Sequence, residues 1–228
     1  MLNMRSVSLV RVSGLLGLLV AGLFGCGLIS SDITKLTFDL PAQTYKFDSA
    51  SFGIPAGSTA KVPCGGSNAV QTCPSPAVCL ASVCTLEQPI TVSSTINLKM
   101  QAPELSSLSD QHLANVTLES LRYSAVSTLN VASPPFDLYL ATAGVTDPKS
   151  AMAMKFGTIP AIPAGASQSG DIAKTSAADA LFSTYATNFA TPFNVIGSAT
   201  VIVPSGSPNP TGMITITITG SISAKPTL

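Results

Sequence analysis

The chain of 228 residues has no tryptophan and a single histidine, and only 10% of its residues are charged. Each scarcity removes a class of function. Without tryptophan, and with aromatics at 6%, a carbohydrate site built on stacked rings has little to work with. The lone His112 sits in the polar run Asp110-Gln111-His112, where an imidazole is ordinarily solvated. A serine triad would have to recruit it, yet no GxSxG elbow is present. The eleven acids are scattered with no calcium-loop pattern, and no glycine-rich phosphate loop follows a strand signal. The residues therefore predict no catalytic group, no metal and no cofactor. Charge excludes one more partner: with 11 basic and 11 acidic residues there is no basic surplus for nucleic acid.

The amino terminus is rich where the rest is sparse. Met1 to Arg11 carries Arg5 and Arg11 with no acid, a positively charged leader. Ser13 to Gly25 (SGLLGLLVAGLFG) is apolar but short of the ~20 residues that span a bilayer. It ends in Leu23-Phe24-Gly25-Cys26, which resembles the lipobox of bacterial lipoproteins. The resemblance implies that residues 1–25 are a cleaved export signal and that Cys26 takes a diacylglycerol. The chemistry fits, since a thiolate is the side-chain nucleophile available near neutral pH. Removing Arg5 and Arg11 leaves 9 bases against 11 acids, a net charge of −2. Residues 26–33 form a tether of at most ~25 Å, so a domain over residues 34–228 is expected close to the membrane. In enteric bacteria Asp after the lipidated Cys retains a lipoprotein in the inner membrane; Gly27 here points to the outer membrane, on its periplasmic face or at the cell surface.

Four further cysteines, Cys64, Cys73, Cys79 and Cys84, fall in a stretch of Gly and Pro over residues 53–89. Their spacing contains no CxxC pair, and no histidine lies near, so disulfides in an oxidising compartment are expected rather than zinc. Four cysteines allow three pairings. The run Cys73-Pro74 to Cys79 to Cys84 resembles the CPxxxxC-type cysteine-rich modules of bacterial surface proteins. That likeness implies Cys64 with Cys79 and Cys73 with Cys84, making the insert a stapled loop or a protruding recognition knob.

Elsewhere alternation of period two dominates. Leu36, Phe38 and Leu40, then Tyr45 and Phe47, predict two short strands. Ile90, Val92, Ile96, Leu98 and Met100 share one face of another strand. Val116 and Leu118 slip phase against Leu121 and Tyr123 near Ser120, the mark of a β-bulge. Phe136, Leu138 and Leu140 give a further strand, as do Met152, Met154 and Phe156. One helix is expected, with Ser176 and Asp179 as capping box and Ala178, Leu181, Phe182, Tyr185 and Phe189 on its inner face. Phe193 to Val203 and Met213 to Ile222 read as a hairpin joined by PSGSPNP.

Some eight strands with one late helix predict an all-β, antiparallel, immunoglobulin-like sandwich. The stretches Ile162-Pro163-Ala164-Gly165, Ala180-Leu181, Phe193 to Thr200 and Ile218-Thr219-Gly220 resemble the late-embryogenesis-abundant type 2, or water-stress, family. That resemblance implies a seven-stranded sandwich without catalytic residues. Two functions fit the anchor, the β-domain and the cystine insert. One is a structural or interaction module with an envelope protein partner, tied to the membrane through the lipid on Cys26. The other is a periplasmic carrier of a small ligand or lipid, whose cavity would open near Met152, Met154, Phe182 and Phe189.

Overall fold

A computed structural model describes residues 36–52, 62–65, 73–101, 113–186 and 191–226. Cys26, His112 and Phe189 lie outside the described residues. The described chain forms ten strands: β1 (Leu36–Asp48), β2 (Val78–Leu80), β3 (Val83–Ile96), β4 (Leu113–Ser127), β5 (Phe136–Thr142), β6 (Met154–Ile159), β7 (Ser167–Asp171), β8 (Ala173–Lys174), β9 (Phe193–Pro204) and β10 (Met213–Pro226). Two helices accompany them, α1 (Leu98–Gln101) and α2 (Ala178–Ala186). A 3-10 turn over Ser49–Phe52 follows β1.

The strands make two antiparallel sheets, one in the order β1-β10-β4-β7 and the other β2-β3-β9-β5-β6-β8. Alternation has the expected cause and effect: Ile214, Ile216 and Ile218 of β10 are buried while the threonines between them line the outer face. Inward residues of both sheets form one apolar core, bridged by Phe47 of β1 and Phe136 of β5 with ring centroids 4.9 Å apart. The molecule is an all-β sandwich.

The two strand signals before Asp48 are one strand, β1, whose register against β10 shifts between Leu40 and Gln43, at Pro41. The bulge expected near Ser120 is present: Ser221 faces Ser120 while Ile222 faces Leu118, so Glu119 is the extra residue. Three expectations are corrected. Leu98 and Met100 do not extend β3; the Asn97 side chain accepts the Met100 N–H at 3.2 Å and starts α1. Met152 precedes β6 rather than belonging to it, and both Met152 and Met154 are exposed. The last two strands are not a hairpin: β9 pairs with β3 and β5, whereas β10 pairs with β1 and β4, so residues 205–212 cross from one sheet to the other.

That topology gives the sandwich two distinct ends. At one, Leu36 enters β1, α1 follows β3, and α2 precedes β9. At the other, Asp48 pairs with Met213, Thr85 pairs with Pro204, and β4 runs out at Ser127. The cystine insert, the 205–212 crossover and the loop before β5 all belong to this second end.

Candidate functional site: a cystine module beside a proline-lined groove

The cystine module grows from the start of β3. Residues 83–89, which the sequence assigns to the insert, form the first half of this sandwich strand. β2 folds back on β3 through Ala81 and Ser82, whose φ values of 47° and 65° are the left-handed pair of a two-residue hairpin. Cys79 therefore lies directly across from Cys84. Neither bonds to the other: disulfides join Cys64 to Cys79 and Cys73 to Cys84, with Cα separations of 5.8 and 5.4 Å. Backbone bonds from Cys64 N to Ser82 O (3.0 Å) and from Cys84 N to Val62 O (2.9 Å) hold the segment around Cys64 against the start of β3. The sulfurs of Cys64, Cys73 and Cys84 lie within 4.8 Å of one another, a spacing that suits a metal, but as disulfides they present no thiolate.

The module is sewn to the crossover. Ser205 N donates to Cys84 O at 2.8 Å, and Val62 N donates to Ser205 Oγ at 2.8 Å. The crossover is in turn fixed to Asn130 after β4. Asn130 N donates to Thr211 O (3.0 Å), Thr211 N donates to Asn130 Oδ1 (2.7 Å), and Asn130 Nδ2 donates to Asn209 O (3.1 Å). Gly212 makes this approach possible. Its φ is +104°, and a Cβ there would stand 2.3 Å from Thr128 O.

Between these segments runs a groove of about 470 Å³. One wall is Thr200 to Pro204 of β9; the others are Val131 to Pro135 and the crossover residues Ser207, Pro208 and Pro210. None of its lining residues carries a charge, and Ile202 is 57% exposed within it. Ser133 anchors the loop wall from behind: its N donates to Ile162 O at 2.9 Å and its Oγ accepts Ile162 N–H at 3.0 Å.

At the entry end a second, smaller space lies between the sheets under α2. It measures about 50 Å³ and is lined by Leu40, Ile96, Leu118, Phe156, Phe182 and Phe193, among others. Of the cavity residues expected from the sequence, Phe182 is there, while Met152 and Met154 lie on the surface. Of the expected capping pair, Asp179 accepts Lys174 Nζ at 3.2 Å, and the helix opens at Ala178, whose N–H donates to Thr175 O at 3.1 Å. The groove went unrecognised in the sequence, where its prolines read as turn residues. One signal was available: residues 205–212 are longer than the two to five of a hairpin loop.

The geometry defines the class, a two-sheet β-sandwich with a cystine-stapled end. No protein-family model and no curated protein matches the chain. Among solved structures it is similar to one titled Desmodium yellow mottle tymovirus, at 11% identity over 96% of this chain and 98% of that one, with a TM-score of 0.21. It is also similar to turnip yellow mosaic virus, at 12% identity over 72% and 90% of the two chains and a TM-score of 0.26. At such scores neither bears on what this protein does.

Proposed function

We propose that this protein is a non-catalytic, lipid-anchored envelope protein, held through Cys26 and acting as a structural or protein-interaction module at the outer membrane. The observation that carries this reading is the polarity of the sandwich. The chain enters at Leu36, and the cystine module and groove occupy the opposite end, beyond the 13 residues of β1. At about 3.3 Å per residue that strand spans roughly 40 Å. Attachment at Cys26, ten residues before Leu36, would join the lipid to the entry end of the sandwich rather than to the groove end. Among the described residues no helix is long and apolar enough to cross a membrane.

A photo-crosslinking residue at Pro208, on the groove end, should capture one discrete envelope protein in producing cells. The same residue at Met100, on the entry end, should not. Equal capture from both positions, or none from either, would remove the reading.

The alternative, a periplasmic carrier of a small ligand or lipid, draws on the apolar space under α2. At about 50 Å³ it falls well below the several hundred Å³ of small-molecule sites. Stoichiometric non-covalent lipid on the purified full chain would favour it.

A further inference from the structure

The groove is open along the side of a strand. β9 pairs with β3 as far as Pro204, opposite Thr85, but its pairing with β5 stops at Ser198, opposite Asp137. Among the described residues, Thr200 to Pro204 therefore have a strand on one side only. All five line the groove, although their side chains alternate between exposed (Thr200, Ile202, Pro204) and buried (Val201, Val203). Five consecutive residues can border one space only if it faces the edge of the strand, where N–H and C=O groups project. The facing loop leaves the edge unsatisfied from Thr200 to Val203: Pro134 and Pro135 have no N–H, and Ser133 is bonded inward to Ile162, whereas at the crossover end Pro204 has no N–H and its C=O accepts the Ser207 N–H at 3.1 Å.

We propose that the groove is a strand slot, which takes an extended, uncharged peptide segment of a partner protein as an added β-strand against Thr200 to Val203. This deepens the interaction-module reading and rests on it. Length, charge and shape select the occupant. The edge accommodates about four extended residues, roughly 13 Å. A lining without charge offers nothing to an acidic or basic segment, or to phosphate. Pro134-Pro135 and the crossover residues Ser207, Pro208 and Pro210 flank the edge on either side, which favours a single extended segment over the broad sheet edge of a second folded copy. In strand addition, main-chain bonds give affinity and alternate side chains give selectivity. Here Ile202 favours a β-branched or apolar neighbour on the exposed face.

The test uses the purified full chain in detergent and capped, uncharged pentapeptides alternating valine and threonine. Hydrogen exchange over residues 199–203 should be fast at the slot-facing amides of the free protein and slow about tenfold or more with peptide bound. Methylating the peptide nitrogens that face β9 should weaken binding about tenfold, the loss expected for two backbone hydrogen bonds. Ala132→Trp, at an exposed wall position, should abolish binding without moving the unfolding midpoint. Amides already protected in the free protein would mean the slot is filled by the chain itself, and would overturn the proposal. So would the absence of protection at millimolar peptide, or indifference to methylation. Capture of a partner at Pro208 that survives Ala132→Trp would remove the slot while leaving the interaction-module reading in place.

Discussion

Two buried polar side chains show how differently this core treats hydrogen bonding. Asn194 is 2% exposed and fully engaged: Oδ1 accepts from Thr95 Oγ1 at 2.7 Å and Nδ2 donates to Val145 O at 2.8 Å. Tyr45 is 7% exposed, and its hydroxyl has no hydrogen-bond partner. Burial pushes the phenol pKa from 10.0 up to about 12, and nearby Ser94 offsets this only in part. The Ser94 hydroxyl itself donates to Gln43 Oε1 at 2.7 Å. A phenol whose pKa is raised on folding contributes stability that is present below pH 10 and is lost as pH rises through 12. The loss amounts to about 2 to 3 kcal/mol. Tyr45→Phe should therefore match or exceed the native protein at pH 7, by up to about 1 kcal/mol, since it removes an unpaired buried hydroxyl. It should also lack the alkaline loss. Urea unfolding from pH 8 to 12 checks this; parallel decline of both proteins would show that Tyr45 is not the titrating group.

At the scale of elements the cystine module and the sandwich have separate sources of stability. Val78 and Leu80, the large apolar residues of β2, are 44% and 40% exposed, so burial does little to hold that strand. The disulfides close separations of 15 and 11 residues, each contributing about 3 kcal/mol in the chain-entropy account. Reduction, or serine at Cys64, Cys73, Cys79 and Cys84, should open residues 62–65 and 73–82 to protease. Because Cys84 is buried in β3 and its carbonyl holds Ser205, the start of β3 and the crossover should loosen too, while the circular dichroism of the sheets persists. Loss of the whole β signal on reduction would mean that the module and the sandwich unfold as one. The same elements show what a sequence discloses. β1, β4, β5 and β10 were legible because one face of each is buried, which writes a period of two into Tyr45 and Phe47 or Ile214 and Ile216. β7, Ser167–Asp171, has no large apolar side chain and left no such trace. Alternation tells which face is buried but not which sheet a strand joins, so β9 and β10 read as neighbours. The groove was illegible for a related reason: its chief wall is backbone edge, exposed by where β5 stops at Ser198.

For the whole molecule, the proposed anchor rests on Cys26, which lies outside the described residues. If Cys26 is the lipid attachment site, its thiol is the only group that can take the diacylglycerol, and signal cleavage waits on that step. Serine has a similar size but a hydroxyl that is not ionised at neutral pH, so Cys26→Ser should block both steps. The variant should accumulate as a precursor longer by residues 1–25, without palmitate label. The domain itself should be unaffected, because the core is drawn from residues 45–222. Its unfolding midpoint and its pattern of protease resistance should match those of the wild type. Location provides an independent reading, since Gly27 gives no retention signal of the enteric kind. Wild-type protein should band with outer membrane on a density gradient, and the variant should leave that band. Mature-length, palmitate-labelled Cys26→Ser protein would show that the lipid is attached elsewhere. Wild-type protein found wholly with inner membrane would keep the anchor but move the groove end to a different surface of the envelope.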